Sequence, residues 1–389
     1  MNTENTPCAF TEMGFRPFFL GAAVFAILSM VIWSGVYLFQ FNIPLQSITQ
    51  FEWHAHEMIF GYAFAVISGF LLTSVRTWTK RPTAHGKSLV LLFGLWLSAR
   101  TLYLFGTSYI EFAAIFDILF TLTLTSLLAY RIIQAKKWGQ LAIVAILLLL
   151  TSCHIIFYLG VFDIVEHGIH RGLYGALFMV IALILVMGRR VIPFFIEKGV
   201  KGSVNLFNSK WLDIPIMALY FSFAISELFF NAPLLTAALA LTLFALNTIR
   251  LVGWHHRGIW KRSMLWSLYL SFWLISIGFL LFAGSYYMDI PKLIAIHALT
   301  VGGIGIITLS MMIRVSLAHT GRDVYQPPKG VIYALSAILL SALIRIALPL
   351  IDPSHYELWV GLSQACWIVA FLIFTISYVP ILTKPKLNQ

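Results

Sequence analysis

The sequence predicts an all-α polytopic membrane protein with about twelve transmembrane helices. Composition, the spacing of apolar runs and the placement of Lys and Arg each point there. Of 389 residues, 60% are hydrophobic and 11% charged, and the mean hydropathy is +0.89. A soluble domain is about 45–50% apolar and about 25% charged. This chain lacks the polar surface to cover a water-facing core. That excludes a soluble enzyme, a disordered chain and, despite the net charge of +11, a nucleic-acid binder. Cys8, Cys153 and Cys366 form no CxxC, so neither a disulfide framework nor a thiolate zinc site is indicated. The polar start, Met1 to Glu12, does not read as a cleavable signal peptide.

A helix needs about 20 apolar residues to cross a hydrocarbon core of roughly 30 Å. Such runs lie near 18–39, 56–75, 88–106, 110–130, 139–161, 171–190, 211–230, 233–250, 263–284, 292–316, 331–350 and 356–381. The seventh and eighth are divided only by Asn231, Ala232 and Pro233. With the N-terminus inside, all but four of the 26 Lys and Arg fall in inner segments; Arg100, Arg171, Lys292 and Arg345 are the outer ones. Basic residues are retained on the cytoplasmic side, so both termini are expected there, and residues 1–389 read as one integral membrane domain. Trp53, Trp78, Trp96 and Trp138 lie near span ends and read as an interfacial aromatic belt.

Eleven histidines stand out in an apolar chain, because polar groups at membrane depth are costly and usually functional. His85, His255, His256 and His319 fall in or beside inner loops, and His355 in the last outer loop. The other six, His54, His56, His154, His167, His170 and His297, gather within roughly 10 Å of the outer boundary at 1.5 Å of rise per residue. Six imidazoles at one depth read as metal ligands. Imidazole ligates haem iron and copper, and the scarcity of thiolates and carboxylates disfavours iron–sulfur or magnesium. Zinc is the competitor. Nothing resembles HExxH, although Glu57 and Glu166 adjoin histidines and could serve as a base.

The second, sixth and tenth spans run in the same direction, four helices apart. Each has a histidine near its outer end and arginine at its inner end: His56 with Arg76, His170 with Arg189 and Arg190, and His297 with Arg314. This suggests a pseudo-threefold arrangement of four-helix units. Twelve spans with histidines on helices two, six and ten resemble the catalytic subunit of the haem–copper oxidase and nitric oxide reductase superfamily. Ala55-His56-Glu57-Met58-Ile59-Phe60 resembles its second-helix haem segment, and His170 to Tyr174 keeps the His-x-x-x-Tyr spacing of its sixth helix. The sixth-helix Pro-Glu and the paired histidines of the seventh helix are absent. A closer resemblance covers nearly the whole chain. Phe15-Arg16-Pro17-Phe18-Phe19, Trp53-His54-Ala55-His56-Glu57-Met58, Gly69-Phe70-Leu71-Leu72-Thr73, Gly188-Arg189-Arg190-Val191-Ile192-Pro193-Phe194-Phe195 and His297-Ala298-Leu299-Thr300 resemble the NnrS family. That resemblance implies a bacterial inner-membrane protein containing haem b and copper, connected with denitrification and resistance to nitrosative stress.

A six-coordinate haem needs imidazoles from opposite sides, and His56 with His297 matches the superfamily's use of helices two and ten. His167 and His170 either share a copper or divide between copper and a second haem, with His154 as a third ligand. His54 parallels His56 in an extended segment and diverges from it by about 200° on a helix. Arg171 meets either a haem propionate or lipid phosphate. Asp117, at histidine depth, delivers protons or is silently paired; Glu57 and Tyr174 complete the catalytic candidates. Gly302, Gly303 and Gly305 leave room for close helix approach or for a macrocycle. The leading expectation is an oxidoreductase that detoxifies nitric oxide as a nitric oxide reductase does. Its electrons would come from quinol, since no CxxCH is present. A haem or copper transporter or sensor without turnover is the alternative, and a small-solute transporter with structural histidines a third.

Overall fold

The computed structural model describes residues 9–200 and 204–387; Cys8 and Lys201 lie outside the described residues. Twelve long helices follow one another: α1 (Phe15–Phe39), α2 (Gln50–Thr79), α3 (Gly86–Tyr103), α4 (Ile110–Gln134), α5 (Leu141–Val161), α6 (Gly168–Gly199), α7 (Lys210–Phe229), α8 (Pro233–Trp254), α9 (Ser263–Tyr287), α10 (Lys292–His319), α11 (Gly330–Ile351) and α12 (Tyr356–Thr383). No strand occurs among the described residues. Eleven of the helices are long and apolar enough to cross a membrane, which makes this a multi-pass membrane protein. The exception is α3, whose eighteen residues include Lys87 and Arg100.

Local chemistry sets the helix ends. α2 begins six residues before the predicted span because Thr49 caps it. The Thr49 hydroxyl accepts from the Glu52 N–H (3.2 Å), and the Glu52 carboxylate accepts from the Thr49 N–H (2.7 Å). His54 and His56 are therefore both helical and point apart. α7 and α8 separate at the predicted break, with Pro233 opening α8, where a missing N–H costs nothing. α6 continues past Arg190 and through Pro193, a residue membrane helices tolerate.

Two helices change pitch just after a histidine. Residues Glu57–Ala63 of α2 and Ala298–Gly305 of α10 are π-helical, following His56 and His297. Such turns are rare and frequently mark functional sites. In α2 the Phe64 N–H reaches back five residues to the Ile59 carbonyl, and the Trp96 indole donates to the Gly61 carbonyl at 2.9 Å. The aromatic belt is thus corrected: Trp96 and Trp53 are buried, at 1% and 2% exposure, whereas Trp138 lies at the surface.

By compactness the chain falls into two units: Met1–Met179 with Met311–Pro328 and Phe371–Gln389, and Val180–Ser310 with Lys329–Ala370. In the first, α1 packs on α2, α3 on α4, and α4 on both α2 and α5. In the second, α8 lies against α7 and α9, and α9 and α11 flank the π segment of α10. There a Cβ on Gly302 would come within 2.8 Å of Leu274, one on Gly303 within 2.5 Å of Ile275, and one on Gly305 within 2.7 Å of Trp367. Neighbouring side chains stand against all three glycines, so close helix approach accounts for them.

In the first unit, α5 and the start of α6 touch backbone to backbone. A Cβ on Gly172 would sit 2.6 Å from the Phe157 Cα, and one on Gly168 would sit 2.6 Å from the Gly160 Cα. Small residues four apart allow this approach between membrane helices. Gly172→Ala is expected to destabilise the protein by about 1–3 kcal/mol, because backbone cannot yield as a side chain can. Gly94→Ala, whose Cβ meets nothing within 4 Å, is the control and should leave the unfolding temperature in detergent unchanged or raised. Equal losses in both variants would refute the assigned contact.

Candidate metal centre

Three neighbouring helices of the first unit carry ionisable groups at one level: Glu57 on α2, Arg100 on α3 and Asp117 on α4. All are buried. Charge in an apolar interior must be paired and hydrogen-bonded to be tolerated. Arg100 meets that demand with both ends of its guanidinium, Nη1 donating to Glu57 Oε1 and Nη2 to Asp117 Oδ2. The fork geometry suits arginine and would not suit lysine. At nearby Gly61 a Cβ would run into the Phe25 ring first and stand 3.1 Å from Arg100 Nη1. Counted as ionised, two carboxylates against one guanidinium leave one negative charge over.

Two imidazoles face that excess charge. His56 Nδ1 donates to Glu57 Oε1 at 2.9 Å, which leaves its Nε2 as an electron-pair donor. That Nε2 lies 3.2 Å from His154 Nε2 and 3.8 Å from Asp117 Oδ2, and His154 Nε2 lies 3.7 Å from the same oxygen. The centre of a triangle with these sides is about 2.1 Å from every corner, within the roughly 2.0–2.2 Å of metal–imidazole and metal–carboxylate bonds. Glu57 is then the outer carboxylate that fixes a ligating histidine's tautomer. Asp117 Oδ1 and His154 Nδ1 are buried without a hydrogen-bond partner, as expected of a cluster built around something further. Phe60 stacks on His154 (3.6 Å between centroids) and Phe157 on His56 (4.5 Å), closing the site to water. Tyr158 donates to Asp117 Oδ2 at 2.7 Å, and Tyr103 donates to Tyr158 at 3.0 Å.

Against known families, the model of the NnrS protein family matches residues 9–386. The chain belongs to the NnrS family. Among curated proteins, none matches it. Family membership thus agrees with the sequence blocks spread along the chain, and the geometry above adds where an NnrS-family protein could hold a metal.

The structure sorts the expected residues. His56, His154, Asp117 and Glu57 come together, and His56, Asp117 and His154 are the one group of three metal-capable side chains that converges among the described residues. His54 instead stacks on Trp33 at 4.3 Å. His167 precedes α6 with a left-handed backbone (φ 57°), so it shares no helical face with His170; its side chain is 68% exposed and near Glu166. His170 stacks on Tyr174 at 4.3 Å, and Arg171 reaches the Glu166 carbonyl. His297 lies in the second unit, its Nδ1 donating to the Leu293 carbonyl at 2.7 Å. Arg100, Tyr103 and Tyr158 escaped the sequence reading. An arginine within an apolar helix that also faces acidic residues at the same depth was the signal available for Arg100.

Arg100→Ala leaves two carboxylates buried without a cation and should destabilise the protein by about 3–5 kcal/mol. Arg100→Ala combined with Glu57→Gln and Asp117→Asn should recover much of that loss in detergent melts. Failure of the triple variant to recover stability relative to Arg100→Ala would contradict a charge-pairing role.

Proposed function

We propose that this protein acts in the response to nitric oxide, holding one transition-metal ion between His56, His154 and Asp117 and binding nitric oxide at it. The observation that carries this reading is the triangle of three buried donors, sized for an ion and set beside an excess negative charge. Two imidazoles and one carboxylate suit copper, iron or zinc. Family membership supports the connection with nitric oxide. The bound ion would supply the centre to which nitric oxide coordinates.

The residues around it position, exclude water and hold protons. Glu57 fixes the His56 ring, Arg100 holds both carboxylates, and Phe60 and Phe157 keep the site dry. The Tyr103–Tyr158–Asp117 chain stores hydroxyl protons beside the centre. Reduction of two nitric oxide molecules to nitrous oxide and water takes two electrons and two protons; quinol in the bilayer is the proposed electron source. Nitric oxide is apolar and reaches the site through lipid. The bias of Lys and Arg among the loops supports an inner membrane with both termini cytoplasmic.

Haem was the other expected cofactor. Axial nitrogens on opposite faces of one haem stand about 4 Å apart, twice a metal–nitrogen bond. His56 and His154 are closer, at 3.2 Å, and aromatic rings cover their faces. The pair suits an ion and does not fit a haem iron. His297, whose Nδ1–H is engaged by a carbonyl so that Nε2 is the electron-pair donor, is the histidine we would assign to a haem.

Donors from three different helices support a resident ion over passing cargo, as in a transporter. Protein purified without oxygen should carry one tightly held ion per chain. His56→Ala and His154→Ala should each lose it while still folding, and nitric oxide should perturb the ion's paramagnetic resonance or visible spectrum. Folded wild-type protein without bound transition metal, from metal-supplied cells, would overturn the proposal.

A further inference from the structure

We propose that α6, α7 and α8 of the second unit form a site for the phosphate headgroup of an anionic lipid, held by Arg250, Trp254 and Arg189. Asp213 of α7 sits between two guanidiniums there. Arg250 Nη2 donates to its Oδ1 at 2.8 Å, and Arg189 Nη1 donates to its Oδ2. Those contacts leave donors over. Arg250 Nη1 has no hydrogen-bond partner among the described residues, although the side chain is 3% exposed. The indole N–H of Trp254, one turn on along α8 and fully buried, has none either. Buried donors are nearly always satisfied, so each exception needs an explanation. Residues four apart lie on one helix face, and the Arg250 guanidinium carbon stands 5.7 Å from the centre of the Trp254 ring. Hydrogen bonds of about 2.9 Å to two oxygens of one phosphate cover that span.

Charge and surroundings identify the ligand. Two guanidiniums against one carboxylate leave a positive charge over, and an apolar interior tolerates charge only when it is paired. A phosphate supplies the missing charge and the missing acceptors together, in the geometry a guanidinium matches. Arg189, 27% exposed, leads from the buried pair toward the surface, and Arg190 follows it on α6. That surface is apolar. Trp211 and Ile214, close to Asp213 on α7, are 88% and 69% exposed, and Ile249 and Val252 are exposed beside Arg250 on α8. Such side chains on membrane helices face acyl chains, so a phosphate arriving here comes attached to lipid. The bias of Lys and Arg assigns this end of the helices to the cytoplasmic side, where basic pockets between helices bind anionic headgroups. The site shares no residue with the metal centre. The competing account fills both donors with water.

The test titrates delipidated full-length protein in detergent with phosphatidylglycerol, phosphatidylcholine and inorganic phosphate, counting bound molecules by native mass spectrometry. Phosphatidylglycerol should bind on the order of 10-fold more tightly than phosphatidylcholine, whose phosphate carries its own cation. Trp254→Phe keeps the ring and removes one N–H; it should weaken phosphatidylglycerol on the order of 10-fold and leave the lipid-free melting temperature little changed. Arg250→Gln should abolish the preference between the two lipids. Equal binding of the lipids by wild type, or undiminished phosphatidylglycerol binding in Trp254→Phe, overturns the proposal in favour of water. Inorganic phosphate that binds and is not displaced by phosphatidylglycerol overturns the lipid assignment. A phosphatidylglycerol with a photoactivatable headgroup should label the wild-type peptide that carries Trp254. Labelling confined to other peptides overturns the site even where the variants do not fold.

Discussion

One guanidinium organises this end of the bundle. Arg100 enters from α3 and holds a carboxylate of α2 with one nitrogen and a carboxylate of α4 with the other. In water such contacts contribute little, because solvent screens them. In an apolar interior the cost of desolvating each ion is several kcal/mol, and only close, hydrogen-bonded pairing offsets it. The three helices are thereby locked in register, and α5 joins them through Tyr158 and His154. The two carboxylates outnumber the one guanidinium, and two imidazoles stand beside them.

The second unit contains the opposite balance. There Asp213 is shared by Arg189 and Arg250, two guanidiniums around one carboxylate, which leaves a positive excess. The first network forks one arginine between two carboxylates and the second forks one carboxylate between two arginines, yet only the first brings imidazole nitrogens to the charged group. A set of donors sized for an ion therefore does not follow from buried ion pairs as such; it needs His56 and His154 to meet at Asp117. The π-helical segment after His56 belongs to the same construction, because Trp96, on the same helix as Arg100, caps the Gly61 carbonyl there.

Much of this was legible in the sequence, for identifiable reasons. Hydropathy located the helices because bilayer thickness dictates their length. Only α3 fell short, and its Arg100 is the buried residue on which the site depends. Membrane depth singled out His56, His154, Asp117 and Glu57 before any contact was known. Depth cannot say which way a side chain points. His54 passed the same filter as His56 and turned toward Trp33, because the Thr49 cap made the segment helical. His167 passed it too and lies outside α6, because its backbone is left-handed. Arg100 was hidden by the topology count, in which an arginine near a span end reads as a loop cation. Tyr103 and Tyr158 had no signal, since phenols scattered through apolar helices have no characteristic spacing.

A dry, apolar site also constrains what it can receive. Bringing an anion such as nitrite into such an interior places charge in a medium that solvates it poorly, at a cost of several kcal/mol. A neutral diatomic adds none. Nitric oxide also needs no polar route, whereas an ion would have to shed its hydration before entering a site lined by Phe60 and Phe157. Selectivity for a small neutral ligand would thus come less from shape than from the surroundings of the metal. Those surroundings are aromatic rings over both imidazoles, two carboxylates held by one arginine, and a tyrosine that donates to one of them. The arrangement that makes the cluster expensive to bury is therefore the same one that would let it discriminate between a gas dissolved in lipid and the anions derived from it.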